Sequence, residues 1–100
     1  MNLKEIQRLI DDWIHKNGGY YSELTNLARL TEELGELARL YARREIPVRD
    51  LEDVSRHKMH EEMGDIVFAL CVLANQAGID LETSVQDALN KVQMRDADRH

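Results

Sequence analysis

From Ser22 to Ala77 the chain carries one proline, Pro47, and proline is the residue a helix interior accommodates worst. It is the only proline in 100 residues. The other strong punctuation is Asn17-Gly18-Gly19 and Gly78. The stretches between these breaks are long enough for helices of several turns. Their apolar residues recur at helical spacing, with no strand alternation and no internal repeat. This pattern predicts an all-α fold, four helices with short connections apart from Glu45–Val54, forming a four-helix bundle-like single domain over residues 1–100.

The first helix is predicted from Leu3 to about Lys16, with Asn2 as N-cap, Glu5 completing a capping box, and Leu3, Ile6, Leu9/Ile10 and Trp13 as its apolar stripe. The second, capped by Ser22, is predicted from about Glu23 to about Arg44. At about 100° per residue, Leu27, Leu30, Leu34, Leu37, Ala38 and Tyr41 fall in one arc. Glu32, Glu33 and Glu36 fall in another, with Glu33 nearest the apolar edge. Glu45–Val54 is less regular, and Val48–Asp53 reads as an exposed loop or short helical turn. The third helix is expected to start after Ser55 and end before Gly78. Its half from Ile66 to Ala77 is apolar nearly all round, which implies burial on most sides. The fourth, capped by Asp80, is predicted from about Leu81 to about Arg95, with Leu81, Val85, Ala88/Leu89 and Val92 as its stripe.

A chain this short holds one modest core, so partner subunits are a natural way to bury more apolar surface. The formal net charge is −6. That argues against a direct grip on nucleic-acid backbone, which depends on clustered Lys and Arg. A nucleotide is compatible with it, because metal ions bridge phosphates to protein acids. The single Cys71 cannot form an internal disulfide and reads as an inert buried thiol. The run Ile66–Ala74 is too short to span a bilayer, and the N-terminus has no apolar signal core. The expectation is a soluble cytoplasmic protein with no membrane partner.

Two acidic stretches carry the chemistry: Thr31-Glu32-Glu33-Leu34-Gly35-Glu36-Leu37 and His60-Glu61-Glu62-Met63-Gly64-Asp65-Ile66. Each sets two carboxylates three residues apart, Glu33/Glu36 and Glu62/Asp65, so that on a helix each pair aims at one patch of space. Glu62 and Asp65 share a stripe with Ala69, Val72 and Leu73, which turns them toward other helices. Buried unpaired charge is very costly, so such acids must be protonated, ion-paired or metal-bound. A hard divalent cation with oxygen ligands, Mg²⁺, suits the set. The plainer reading of Glu32/Glu33/Glu36 alone is a solvated face paired with Arg29 and Arg39, worth a few tenths of a kcal/mol per pair. For Glu62/Asp65 it is pairing with Arg29 or Arg95. Taken together, the two pairs favour the metal.

Other features are weaker. His57 and His60 lack a convincing further ligand set for zinc and read as surface histidines. No Glu has a His three residues later, which disfavours a di-iron carboxylate bundle. Lys91, Arg95 and Arg99 are either cations suited to a helix C-terminus or a phosphate grip. Trp13, Tyr20 and Tyr21 read as core or interface aromatics, although helix one and the Tyr20/Tyr21 turn are also where a base pocket is expected.

Glu32-Glu33-x-x-Glu36 followed by Glu62-x-x-Asp65 resembles the EExxE…ExxD pattern of the MazG nucleotide pyrophosphohydrolases, within the all-α NTP pyrophosphatase superfamily. Lys91-x-x-x-Arg95-Asp96 is similar to the family's basic segment, and the likeness runs from about Tyr20 to Arg99. The resemblance implies hydrolysis of a nucleoside triphosphate to the monophosphate and pyrophosphate with Mg²⁺, or Mn²⁺ as a substitute. It implies Glu33, Glu36, Glu62 and Asp65 as metal ligands, Glu32 as a further ligand or water-orienting group, and Lys91 and Arg95 on phosphate oxygens. Either Glu32 or Glu33, whichever is unligated, would serve as general base. It also implies a homodimer or homotetramer, while the base, the sugar and any role in nucleotide-pool cleaning stay open. The alternatives are a phosphoribosyl-ATP pyrophosphohydrolase and a non-catalytic helical interaction module with structural acids.

Overall fold

The computed structural model describes residues 1–44 and 52–98. The described residues form four helices: α1 (Leu3–Lys16), α2 (Glu23–Arg44), α3 (Glu52–Ala77) and α4 (Leu81–Asp98). No strand occurs among the described residues. The expected caps are in place. Asn2 Oδ1 accepts the Glu5 N–H at 2.9 Å, Ser22 Oγ that of Thr25 at 3.1 Å, and Asp80 Oδ1 that of Glu82 at 3.0 Å. Gly18 and Gly19, at φ 103° and 91°, take the left-handed conformation that turns the chain out of α1, and the Gly19 N–H closes on the Ile14 carbonyl at 2.9 Å.

α3 begins at Glu52, four residues before Arg56, the first position after the expected Ser55 boundary, so Glu52–Val54 is helical where an irregular segment was expected. The expected break at Pro47 and the loop-like Glu45–Leu51 lie outside the described residues.

α2 and α3 form an antiparallel hairpin, registered by Asn26 against Gln76 at one end and Glu33 against Glu62 and Asp65 nearer the middle. α1 packs on α3, and Ile10, Ile14, Cys71, Val72, Ala74 and Leu81 form the core, with Leu3, Ile6 and Tyr20 against it. Cys71 is completely buried and free, as expected, and burial pushes its thiol pKa up.

Two stripes differ from expectation. On α1 the inward face is Leu3, Ile6, Gln7, Ile10 and Ile14, while Leu9 is half-exposed and Trp13 is 58 % exposed. A glutamine was accepted in the core because every polar atom it brings is bonded. Gln7 Nε2 donates to Asn75 Oδ1 (3.1 Å) and the Ile79 carbonyl (2.9 Å), and its Oε1 accepts the Leu81 N–H (2.9 Å). Asn75 Nδ2 returns a bond to the Gln7 carbonyl at 3.0 Å. This clamp joins α1 and α3 to the start of α4. On α2 the inward line is Asn26, Leu30, Glu33, Leu37 and Leu40, rotated by about 90° from the line of Leu27, Leu34, Ala38 and Tyr41, which stays exposed.

α3 and α4 bend away from each other by 106°. Past Leu81 the α4 stripe of Val85, Leu89 and Val92 is uncovered. The radius of gyration is 16.9 Å, against about 13 Å for a compact chain of this length. Among the described residues no single helix is long and apolar enough to cross a membrane.

Candidate active site

The inward rotation of α2 brings Glu33 onto α3. Carboxylate oxygens of Glu33, Glu62 and Asp65 lie within 4.8 Å of one another, one from α2 and two from successive turns of α3. Glu33 and Glu62 are half-buried and Asp65 is exposed at the mouth. Glu62 Oε2 is buried without a hydrogen-bond partner among the described residues. The Glu62 pKa is raised from 4.5 to about 7, first by the hydrogen bond its protonated form makes with Glu33, then by burial, then by the charges of Glu33, Asp65 and Glu36.

Beside this cluster is a cleft of about 350 Å³ lined by Glu32, Glu33 and Asp65, with Asn26, Arg29, Phe68, Ala69 and Val72. Glu32 therefore faces the same space as two of the clustered carboxylates. Glu36, one turn along, is outside the three-carboxylate group and pairs with Arg39 at 3.5 Å across an exposed surface. Its charge nevertheless reaches Glu62. Arg29 does not pair with Glu33 as the plain reading had it; its guanidinium lies 4.6 Å over the Tyr21 ring.

Adjoining the cleft is a second hollow of about 430 Å³, which shares Asn26, Arg29, Phe68 and Val72 with it and adds Trp13, Tyr20 and Tyr21. Trp13 meets Phe68 edge-on, with ring centroids 6.5 Å apart. Tyr20 donates to Asp11 Oδ1 at 2.5 Å, and burial with this bond pushes its pKa to about 12.

Lys91 and Arg95 lie elsewhere. They line a groove formed by α4 residues alone, with Ser84, Asp87, Ala88 and Val92, and neither lines the acidic cleft. His57 and His60 are exposed, as expected; His57 Nε2 lies 2.9 Å from Glu61 Oε1, and Glu61 is exposed and outside the three-carboxylate group. Sequence reasoning passed over Asn26, Arg29 and Phe68 as cleft residues. For Asn26 a signal existed: it stands two turns before Glu33 on the same face.

Acids from a pair of antiparallel helices thus converge on one patch of an all-helical chain. The MazG nucleotide pyrophosphohydrolase domain matches residues 21–100. YpjD of Bacillus subtilis (strain 168), an uncharacterized protein, is 44 % identical over 100 residues, covering 97 % of this chain and 88 % of its own. The crystal structure of YpjD superposes with a TM-score of 0.75 at 40 % identity, over 95 % of this chain and 96 % of that one. The crystal structure of the Bacillus-conserved MazG protein, a nucleotide pyrophosphohydrolase, gives 0.68 at 37 % identity, over 91 % and 88 %. The chain belongs to the MazG nucleotide pyrophosphohydrolase family, and its class is that of hydrolases acting on phosphoric anhydrides.

Proposed function

We propose that the protein hydrolyses a nucleoside triphosphate, ribo or deoxyribo, to the monophosphate and pyrophosphate, with Mg²⁺ held by the acids between α2 and α3. The observation that carries this reading is the convergence of Glu33, Glu62 and Asp65 within 4.8 Å, with the buried Glu62 Oε2 left without a partner. The donor set is all oxygen and strongly anionic, which fits Mg²⁺ better than a softer ion. When bound, Mg²⁺ offsets charge on the phosphates and lowers the pKa of bound water.

Glu33, Glu62 and Asp65 would hold the cation. Glu36 is a fourth ligand in this reading, because its exposed pairing with Arg39 is worth about 1 kcal/mol at most and yields easily. Glu32, in the cleft but outside the three-carboxylate group, is then the free base that takes a proton from the attacking water. Lys91 and Arg95, which do not line the acidic cleft of their own chain, hold phosphate oxygens of a nucleotide in a neighbouring subunit's cleft of a homodimer or homotetramer. The nucleobase lies in the hollow of Trp13, Tyr20, Tyr21 and Phe68.

The test is pyrophosphate release from canonical and damaged NTPs and dNTPs, and from phosphoribosyl-ATP, with and without Mg²⁺. The expected result is Mg²⁺-dependent release that Asp65→Asn reduces by at least a hundredfold, on the order of the loss seen when a key electrostatic group is removed. Full activity of Asp65→Asn would overturn the ligand assignment. No release from a folded protein with any substrate would overturn the function.

A further inference from the structure

Asn26 is 5 % exposed and stands where the acidic cleft and the aromatic hollow meet, lining both. Its orientation is fixed by chemistry. The Tyr21 carbonyl can only accept, and it faces both Gln76 Nε2 at 2.8 Å and Asn26 Nδ2 at 3.3 Å. Both facing atoms must therefore be amide nitrogens. Gln76 Oε1 then accepts the second Asn26 N–H at 2.9 Å. Both donors of Asn26 are used, and the carboxamide cannot flip without setting an oxygen against an oxygen. Its Oδ1, with two lone pairs, accepts nothing from the described residues. That oxygen is not among the side-chain atoms sealed from solvent, so in an otherwise nearly buried side chain it is the polar atom left free to meet a donor in the adjoining hollows.

A nucleotide with its phosphates by the acids and its base among the aromatic rings sets its sugar at this junction, and the sugar's donors there are hydroxyls. We infer that Asn26 Oδ1 accepts a hydrogen bond from a sugar hydroxyl of the nucleotide, so that Asn26 sets sugar specificity and Gln76 and the Tyr21 carbonyl act as its positioning groups. The inference rests on the nucleotide reading above and adds the sugar contact to it.

The experiment compares kcat/KM for pyrophosphate release from the ribo, 2′-deoxy and 2′,3′-dideoxy triphosphates of one base, in Mg²⁺, with wild type, Asn26→Ala and Gln76→Met. In wild type, removing the accepted hydroxyl is expected to lower kcat/KM at least tenfold, and the step at which the drop falls identifies it as 2′ or 3′. In Asn26→Ala the three substrates are expected to fall within about twofold of one another. Gln76→Met, which frees the amide to turn, is expected to lose most of the discrimination, and it decides the matter if Asn26→Ala does not fold. Equal turnover of all three substrates by wild type would overturn the inference while leaving the pyrophosphohydrolase reading intact. So would an unchanged discrimination ratio in the variants with only a lower Tm, since that is the mark of a structural role. No turnover of any nucleotide would overturn the underlying reading, and this inference with it.

Discussion

Glu62 faces opposite demands with and without a cation. Its carboxyl titrates near 7 in the folded chain against 4.5 ordinarily, so between those values the folded state binds more protons than the unfolded one. Stability from this group is therefore fully present below about 4.5 and is lost as pH rises through about 7, in the absence of metal. Thermal melts of metal-free protein should show Tm falling across that window relative to Glu62→Gln, with no further divergence above it. Parallel profiles would mean that Glu33 and Asp65 do not crowd Glu62. Mg²⁺ competes with the same proton, so the rise in Tm on adding Mg²⁺ should shrink as pH falls below 7 and vanish in Glu62→Gln or Asp65→Asn.

At the scale of the elements, the Gln7 clamp joins the start of α4 to the α1–α3 layer. Gln7→Leu keeps the volume but strips the partner from the Leu81 N–H and from Asn75. Leaving a buried donor unpaired costs about 1–3 kcal/mol, which should appear as a drop in Tm of roughly 10 °C. A variant as stable as wild type would show that water replaces the clamp. The same element illustrates what could be read in advance. Leu3, Ile6 and Ile10 announce a helix with one buried side, but Leu9 and Trp13 broaden the stripe, and a polar Gln7 reads as surface. The true face extends round to Gln7 because a chain segment with matching donors and acceptors, from Asn75 to Leu81, packs there. No local pattern encodes that distant complement.

For the whole molecule, the uncovered apolar residues are arranged in lines. Leu27, Leu34 and Tyr41 run along α2, and Val85, Leu89 and Val92 run along α4. With the extended shape, this predicts a dimer or tetramer by sedimentation. Leu34→Glu or Leu89→Glu should shift it toward monomer, since a charge in a buried apolar contact is unfavourable. A wild-type monomer would sink this expectation. The separation of Lys91 and Arg95 from the acidic cleft within one chain gives a further test. Mixed oligomers of Glu33→Gln with a Lys91→Ala/Arg95→Ala variant should recover up to about a quarter of wild-type activity if the basic groups serve a neighbour's cleft, taking random pairing. No recovery would place their action within one chain or rule it out.

The sequence by itself determined the four helices, their caps, the burial of Cys71 and the two acid pairs, because each rests on local spacing: capping residues, a 3.6-residue period, and carboxylates three apart. It also marked Glu62 and Asp65 as acids that must be protonated, ion-paired or metal-bound, since they share a stripe that turns apolar one turn later. The tertiary structure decided which edge of each broad apolar arc turns inward. Periodicity defines an arc, and only the neighbouring helix selects the line within it. The rotation of α2 toward the line of Asn26, Leu30, Glu33, Leu37 and Leu40 brought Glu33 to Glu62 and Asp65, left Glu36 to Arg39, and placed Asn26 where both hollows meet.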